Sequence, residues 1–185
     1  MKLIEDIQKK IGAFLLRKEL AGVERNKALL NMDDAKTFGI IFEASNKDHV
    51  ELVKKYAGYL KEMRKKVKVI GYCDAKEIPE FTYSRLEYEF FLKKDLSWYF
   101  KPSGMEIDNF IREEFDVLID LNLEDHFPLQ YIAALSRAKC KVGKFSNEKK
   151  EIYDLMIEVD PDKSFKYFLR QVDTYLVMIN KKEAS

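Results

Sequence analysis

Cysteine, histidine, glycine and proline are all scarce in this chain. Its 185 residues include two cysteines, two histidines, seven glycines and four prolines. Neither Cys73 nor Cys140 belongs to a Cys-x-x-Cys pair, and there is no His-Glu-x-x-His sequence, so neither type of zinc motif is present. Both cysteines stand in apolar, strand-like segments. This favours buried, reduced thiols and a cytoplasmic location, with a disulfide between the two as the open alternative.

The few glycines are scattered rather than clustered. No Gly-x-Gly-x-x-Gly or Walker-type phosphate loop follows the first predicted strand, and there is no Gly-x-Ser-x-Gly nucleophile elbow. The sequence therefore gives no support to these nucleotide-binding and hydrolase chemistries. We expect neither a cofactor nor a metal ion.

Long apolar runs and an excess of one charge are also missing. No run approaches the ~18 apolar residues of a membrane-spanning helix, and Glu5 and Asp6 interrupt what would be the apolar core of an export signal. The 33 basic residues nearly balance the 32 acidic ones, for a net charge of +1. This balance disfavours a nucleic-acid partner, and we expect a cytoplasmic protein without a transmembrane segment.

Apolar residues, in contrast, make up 46% of the chain and alternate between strand-like and helix-like spacing. We predict strands at 37–44, 66–73, 89–92, 115–122, 140–145 and 155–159. Helices are predicted after Asn46 and at 103–114, 129–138 and 163–180, while the aromatic-rich stretch 76–102 shows no clear period. Strands that alternate with helices predict an α/β fold: a three-layer, Rossmann-like, mostly parallel sheet with an N-terminal amphipathic helix.

The predicted N-terminal helix, from residue 2 to about 25, carries two apolar stripes on roughly opposite sides. One comprises Leu3, Ile4, Ile7, Ile11, Phe14 and Leu15, and the other Ala13, Leu16, Leu20 and Val23. A helix that lies on a domain needs only one stripe, so two favour contact with the domain on one side and another chain on the other. The alternative is a helix buried in its own domain. We expect a helical extension at 1–33 and a Rossmann-like domain at 34–185.

Polar residues follow two of the predicted strands. Glu43, Ser45 and Asn46 lie at or just beyond the end of the first strand, and Asn122, Asp125 and His126 lie at or just beyond the end of the strand at 115–122. In a parallel sheet, ligands bind beyond the carboxyl ends of strands where the strand order reverses. A histidine flanked by carboxylates can act as a general base at neutral pH. These six residues are the candidate ligand-binding site.

Four of these candidates, and two nearby residues, also have a structural interpretation. Ser45 or Asn46 could cap the helix that follows, and Asp125 could cap the helix near Pro128. His126 could be an exposed loop residue, and His49 is expected on a solvated helix face. Asp120 lies inside an apolar strand, so it needs a polar partner if it is buried.

Four segments together resemble a family of short uncharacterised bacterial proteins known only as a domain of unknown function. They are Phe38–Phe42, the run Phe-Asp-Val-Leu-Ile-Asp-Leu-Asn at 115–122, the run Pro-Leu-Gln-Tyr-Ile-Ala-Ala-Leu-Ser-Arg-Ala-Lys at 128–139, and Lys-Val-Gly-Lys-Phe at 141–145. The resemblance covers almost the whole chain and implies no activity, cofactor or site residue.

More distantly, Asp116–Leu121, Ala133–Leu135 and Val142-Gly143 are similar to the acceptor-side half of heptosyltransferase-like glycosyltransferases. Those enzymes have two Rossmann-like halves and bind the sugar-nucleotide donor mainly with the second. Here Glu43–Asn46 stands in place of the Gly-Asp type of loop that carries the catalytic acid. The similarity supports the fold and argues against independent glycosyl transfer.

Two functions follow from these patterns. The first is a non-catalytic interaction or regulatory protein that assembles through the N-terminal helix, as a homodimer or with a protein partner. The alternative is a small-molecule-binding protein or enzyme with a site at the carboxyl ends of the strands. A third, weaker interpretation places Lys9, Lys10 and Arg17 of the helix against membrane headgroups as a peripheral contact.

Overall fold

The computed structural model describes residues 2–82 and 88–179. All six predicted strands are present. They are β1 (Thr37–Glu43), β2 (Lys66–Cys73), β3 (Tyr88–Leu92), β4 (Val117–Asp120), β5 (Cys140–Lys144) and β6 (Leu155–Ile157). They form one sheet in the order β3-β2-β1-β4-β5-β6, and every pairing is parallel. The predicted α/β class is confirmed, with a fully parallel sheet.

Five α-helices accompany the sheet in the described residues. They are α1 (Lys2–Leu20), α2 (Lys47–Glu62), α3 (Met105–Arg112), α4 (Phe127–Leu135) and α5 (Phe165–Met178). The buried residues of α2 and α5 pack into one core cluster, and those of α1, α3 and α4 pack into the other. The molecule therefore has the predicted three layers, with a core on each face of the sheet.

The burial of the central strand β1 on both faces explains why its sequence is almost continuously apolar. Phe38, Ile40 and Phe42 belong to the core on the α2 and α5 side, whereas Ile41 belongs to the core on the opposite side. A parallel strand covered on both faces buries both sets of alternating side chains. This is the reason that the run at 38–42 lacks the polar alternation of a half-exposed strand.

The strand order reverses between β1 and β4. From β1 the chain builds outward to β2 and β3 on one side, then returns to place β4 on the other side of β1. The carboxyl ends of these two neighbours carry the loops with the six candidate residues. The fold thus brings both loops to the position where parallel α/β sheets bind ligands.

Helix α1 is shorter than predicted. It ends at Leu20, and a turn at Ala21-Gly22 follows, so Val23 does not extend the second stripe. The segment that follows is bonded to the rest of the domain. The Ala28 amide donates to the Lys139 carbonyl oxygen (3.1 Å), and the Met32 amide donates to the Leu176 carbonyl oxygen (2.8 Å). The division of the chain at residue 33 stays a prediction.

Other predicted boundaries moved by a few residues. The strand predicted at 115–122 is limited to Val117–Asp120, and the helix predicted at 129–138 is Phe127–Leu135. In the stretch 76–102, β3 matches the predicted strand, and 3₁₀ turns lie at Glu80–Thr82 and Lys93–Asp95. Residues 83–87 of that stretch lie outside the described part of the chain. None of the described helices has the length and apolar character needed to cross a bilayer.

Candidate functional site at the carboxyl ends of the strands

The loops that follow β1 and β4 are joined by a hydrogen bond. The Glu43 amide donates to Oδ1 of Asn122 over 2.8 Å. Nδ2 of Asn122 donates in turn to the carboxylate of Asp120. Because both polar ends of the Asn122 side chain have protein partners, this residue positions the two loops as well as facing the space between them.

The β1–α2 loop is ordered by its own side chains. Asn46 caps α2, because its Oδ1 accepts hydrogen bonds from the amides of Asp48 (2.8 Å) and His49 (3.3 Å). Oε1 of Glu43 accepts from the Ser45 amide (2.9 Å), and Ser45 Oγ accepts from the Asp74 amide (3.2 Å). Asn46, rather than Ser45, is therefore the helix cap. Ser45 links this loop to the end of β2.

Asp125 does not cap α4. The N-cap position is His126, which makes no side-chain capping bond, and Pro128 occupies the first turn. The Asp125 carboxylate instead forms an ion pair with Lys149, beyond the end of β5. The expectation that Asp125 caps the helix is therefore wrong, because the α4 helix begins one residue too late for it.

Four of the six candidate residues line one cavity at the switch point, which is the place between the carboxyl ends of β1 and β4 where the strand order reverses. This cavity of about 240 Å³ is bounded by Glu43, Asn46, Asn122 and His126, together with His49, Glu124, Leu121, Leu123 and Phe165. Both histidines of the chain therefore border the same space. Two imidazoles, two carboxylates and two carboxamides in a small cavity provide groups that can exchange protons with, or hydrogen-bond, a polar ligand.

His49 was not among the predicted site residues. Its ring stacks on Phe165, with ring centroids 4.1 Å apart and planes 13° from parallel. Burial lowers the pKa of His49, against the opposing effect of Glu43 and Asp48. One feature of the sequence could have identified His49 as a site residue. It lies in the first turn of the helix that follows β1, and that turn borders the switch point.

A second cavity of about 390 Å³ lies between the ends of β4 and β5. Asp120, Asn122, Asp125, Lys144, Lys149 and Tyr153 are among the residues that line it. Asp120 is buried and accepts hydrogen bonds from the Tyr153 hydroxyl and Asn122, which supplies the polar partners that its burial requires. Burial raises the pKa of Asp120, and these hydrogen bonds oppose part of that rise.

The six predicted residues thus do not share one space. Asp125 faces the β4–β5 cavity and a third cavity of about 410 Å³ that extends toward Glu5 and Lys9 of α1. Ser45 is not among the residues that line these three cavities. No group of three or more histidine, cysteine, aspartate or glutamate side chains within residues 2–82 and 88–179 could hold a metal ion.

The N-terminal helix forms the other candidate surface. Leu16 is 5% exposed and packs into the core beside α4, whereas Ile4 and Phe14, on the opposite side of α1, are 62% and 58% exposed. Glu19 holds the helix in place through an ion pair with Lys101 (2.9 Å) and a hydrogen bond from the Tyr131 hydroxyl. In the second predicted stripe, Leu16 is therefore buried and Ala13 and Leu20 are partly buried against the domain. In the first stripe, Leu3, Ile4, Ile7 and Phe14 lie on the surface.

Comparison with known proteins identifies a family but no activity. A family model described as a family of unknown function, DUF6913, matches residues 8–179. No curated protein matches the chain. The bacterial origin and the similarity to glycosyltransferases stay predictions. Because the match covers nearly all of the sequence, the chain belongs to the DUF6913 family.

Proposed function

We propose that this protein is a non-catalytic assembly protein that pairs with a second copy of itself through the outer face of α1. The observation that carries this proposal is that one side of the helix is buried in the domain while the other side exposes large apolar side chains. Leu16 is 5% exposed, whereas Leu3, Ile4, Ile7 and Phe14 are 73%, 62%, 50% and 58% exposed. Adjacent large apolar side chains on a surface mark an interaction site more often than scattered ones do.

The spacing of the exposed stripe suits a paired helix. Three exposed residues, Ile4, Ile7 and Phe14, form a series with the partly buried Ile11, in which the successive steps are three, four and three residues. This is the a and d spacing of a heptad, which aligns apolar side chains along one helix face for packing against a second helix. Lys18 continues the series and lies over the Phe14 ring, with Nζ 5.0 Å from the ring centroid.

The distribution of charge along α1 favours a second copy as the partner. Glu5 and Asp6 lie near its first turn, and Arg17 and Lys18 lie in its last turn. In an antiparallel pair related by a two-fold axis, the acidic end of each helix approaches the basic end of the other. A single helix surface is then complementary to itself in both shape and charge.

The test is light scattering coupled to size exclusion over a range of protein concentrations. The full chain is compared with the double variant Ile7→Glu/Phe14→Glu and with Met105→Glu, a control at an apolar side chain of α3 that is 72% exposed. We expect dimers for the full chain and the control, and monomers for the double variant. A full chain that is monomeric at its highest concentration, or a dimeric double variant, would contradict the proposal.

We further infer a cytoplasmic protein with no nucleic-acid partner. Two free buried cysteines and the net charge of +1 support this inference. A peripheral membrane contact is the competing use of the same stripe. Co-sedimentation of the full chain with anionic lipid vesicles, lost in the Ile7→Glu/Phe14→Glu variant, would favour the membrane over a second copy.

A second candidate function is binding of a small polar molecule at the switch point. It is favoured by the position of His49, His126 and Glu43 around one cavity of about 240 Å³. The two histidine ring signals in a proton NMR spectrum report this site directly, since the chain has only two histidines. A ligand from a screen that shifts both signals, and loses affinity in Glu43→Gln, would support it. A ligand unaffected by Glu43→Gln binds elsewhere.

A further inference from the structure

Lys141 is a buried lysine that none of the surfaces described above uses. It is the second residue of β5, and it is 1% exposed. Its Nζ donates a hydrogen bond of 2.9 Å to the Ala134 carbonyl oxygen near the end of α4. A charged amine has three N–H groups and seldom lies in a protein interior without a carboxylate partner.

Asp154, the carboxylate whose charge acts on the Lys141 amine, is engaged by other groups. Asp154 forms a bidentate pair with Arg25, with N–O distances of 2.6 and 2.7 Å, and Nζ of Lys27 lies 3.8 Å from the same carboxylate. The Lys141 backbone amide also donates to Asp154 over 2.9 Å. Because these donors occupy both carboxylate oxygens, Asp154 compensates a charge on the Lys141 amine only weakly.

Burial and charge together favour the neutral amine. Burial lowers the pKa of Lys141 to about 7; Arg25 adds to this effect, and Asp154 opposes it. An ordinary lysine has a pKa of about 10.4, so only a very small fraction of it is unprotonated at pH 7. The lone pair of an unprotonated amine is available as a nucleophile, as in Schiff-base lysines.

Lys141 also lines a cavity large enough for a small ligand. The cavity, of about 470 Å³, lies between the last turn of α1, the segment that follows it, and β5. Arg17 and Lys27 contribute positive charge to its wall, and Glu24 and Glu151 contribute negative charge. Within residues 2–82 and 88–179 of a single chain, Arg17 makes no ion pair, so in the monomer its guanidinium is available to an anion.

We propose that Lys141 is a nucleophilic amine that condenses with a small carbonyl compound bearing a carboxylate, held in this cavity with its anionic group toward Arg17. The amine lone pair attacks the carbonyl carbon and the C=O π bond breaks. Proton transfer from nitrogen to oxygen gives a carbinolamine, and loss of water forms the C=N bond. No redox partner is needed for this step, and one water is released for each imine formed.

The probe is glyoxylate, a two-carbon aldehyde acid. Sodium borohydride is added to samples after timed incubations, where it reduces each imine to a stable secondary amine and also consumes the remaining aldehyde. Mass spectrometry of the digested full-length protein then gives the labelling rate of each lysine. We expect Lys141 to react about tenfold or more faster at pH 7 than exposed lysines, because much more of it is unprotonated. Its rate should level off above about pH 7, whereas exposed lysines should continue to gain rate toward pH 10.

A second probe and one variant separate the amine from the anion site. Propionaldehyde has no carboxylate, so Arg17→Gln should lower the labelling of Lys141 by glyoxylate and leave its labelling by propionaldehyde unchanged. A Lys141 that reacts no faster than exposed lysines, or whose rate rises with theirs to pH 10, overturns the proposal. Equal effects of Arg17→Gln on both probes overturn the assignment of the anion site. These measurements use the natural Lys141, so they do not depend on the folding of a Lys141 variant.

Discussion

Gly12 of α1 lies so close to the backbone of Tyr99 that a side chain has no room between them. A β carbon built at Gly12 would lie 2.4 Å from the Tyr99 carbonyl oxygen and 2.9 Å from the Phe127 ring. The backbone oxygen cannot move aside as the end of a flexible side chain can. The absence of a side chain at residue 12 therefore sets how closely the N-terminal helix approaches the domain.

Replacement of Gly12 by alanine should destabilise the protein even though alanine favours helices. The clash should displace α1 and lower the free energy of unfolding by about 1–3 kcal/mol, and this outweighs the gain in helix propensity of about 1 kcal/mol. Gly58→Ala is the matched control, since a β carbon at Gly58 of α2 meets nothing within 4 Å.

Urea unfolding distinguishes the two glycine variants. Gly58→Ala should raise the free energy of unfolding by up to about 1 kcal/mol, because alanine reduces the conformational freedom of the unfolded chain. If Gly12→Ala were stabilising to the same degree, α1 would not be held against Tyr99 as the structure has it.

Glu19 should stabilise α1 mainly through the Tyr131 hydroxyl rather than through its ion pair. Tyr131 is completely buried, and its hydroxyl donates to Glu19, whereas the Glu19–Lys101 pair is about one-third exposed on both sides. Glu19→Gln keeps an acceptor for the hydroxyl and should cost less than about 1 kcal/mol. Glu19→Ala leaves the hydroxyl without its acceptor and should cost about 1–3 kcal/mol. Equal losses in urea unfolding would show that the hydroxyl does not depend on Glu19.

The sheet could be predicted from local patterns because each buried strand is a short apolar run between polar segments. The end of α1 could not, because Val23 continues the apolar spacing past Leu20. What ends the helix is the turn at Ala21-Gly22 and the hydrogen bonds that the following segment makes with the body. Those partners, such as the Leu176 carbonyl oxygen bonded to Met32, are distant in sequence.

The candidate site residues also differ in whether their positions could be predicted from the sequence. The proximity of Glu43 and Asn122 follows from strand order alone, since both residues come at the ends of adjacent parallel strands. The role of His49 depends on Phe165, a contact from the other end of the chain. Lys141 stands in a lysine-rich stretch that is typical of a solvated face, and its burial arises only because α4 and the end of α1 cover it.

The stability of the protein should fall as His49 gains a proton. Its pKa in the folded state is lowered, chiefly by burial, while that of an unfolded histidine is about 6.5. The unfolded state therefore binds a proton more readily, and the contribution of neutral His49 is fully present above about pH 6.5 and lost as the pH falls through the folded value. His49→Phe keeps a ring against Phe165 and removes the titration, so the decline in stability between about pH 7 and 5 should become shallower.

Proton NMR measures the pKa of His49 directly. With only two histidines in the chain, the variant His126→Gln identifies the remaining ring signal as that of His49. This signal should titrate below 6.5. A midpoint at 6.5 would mean that Glu43 and Asp48 balance burial, and His49 would then add no pH dependence to the stability. A midpoint above 6.5 would mean that they outweigh burial, and the stability would then change with pH in the opposite direction.

Cys73 and Cys140 should be almost inert in the folded protein and reactive once it unfolds. Both are free and buried. Burial raises the pKa of Cys73 to about 12 and that of Cys140 to about 11, and only the thiolate is a strong nucleophile. With a thiol-reactive disulfide reagent at pH 8, we expect modification to be about a hundredfold slower in the native protein than in denaturant. Two thiols per chain should then be found without added reductant. Fewer would indicate a disulfide, and rapid native labelling would show that one of these strands opens to solvent.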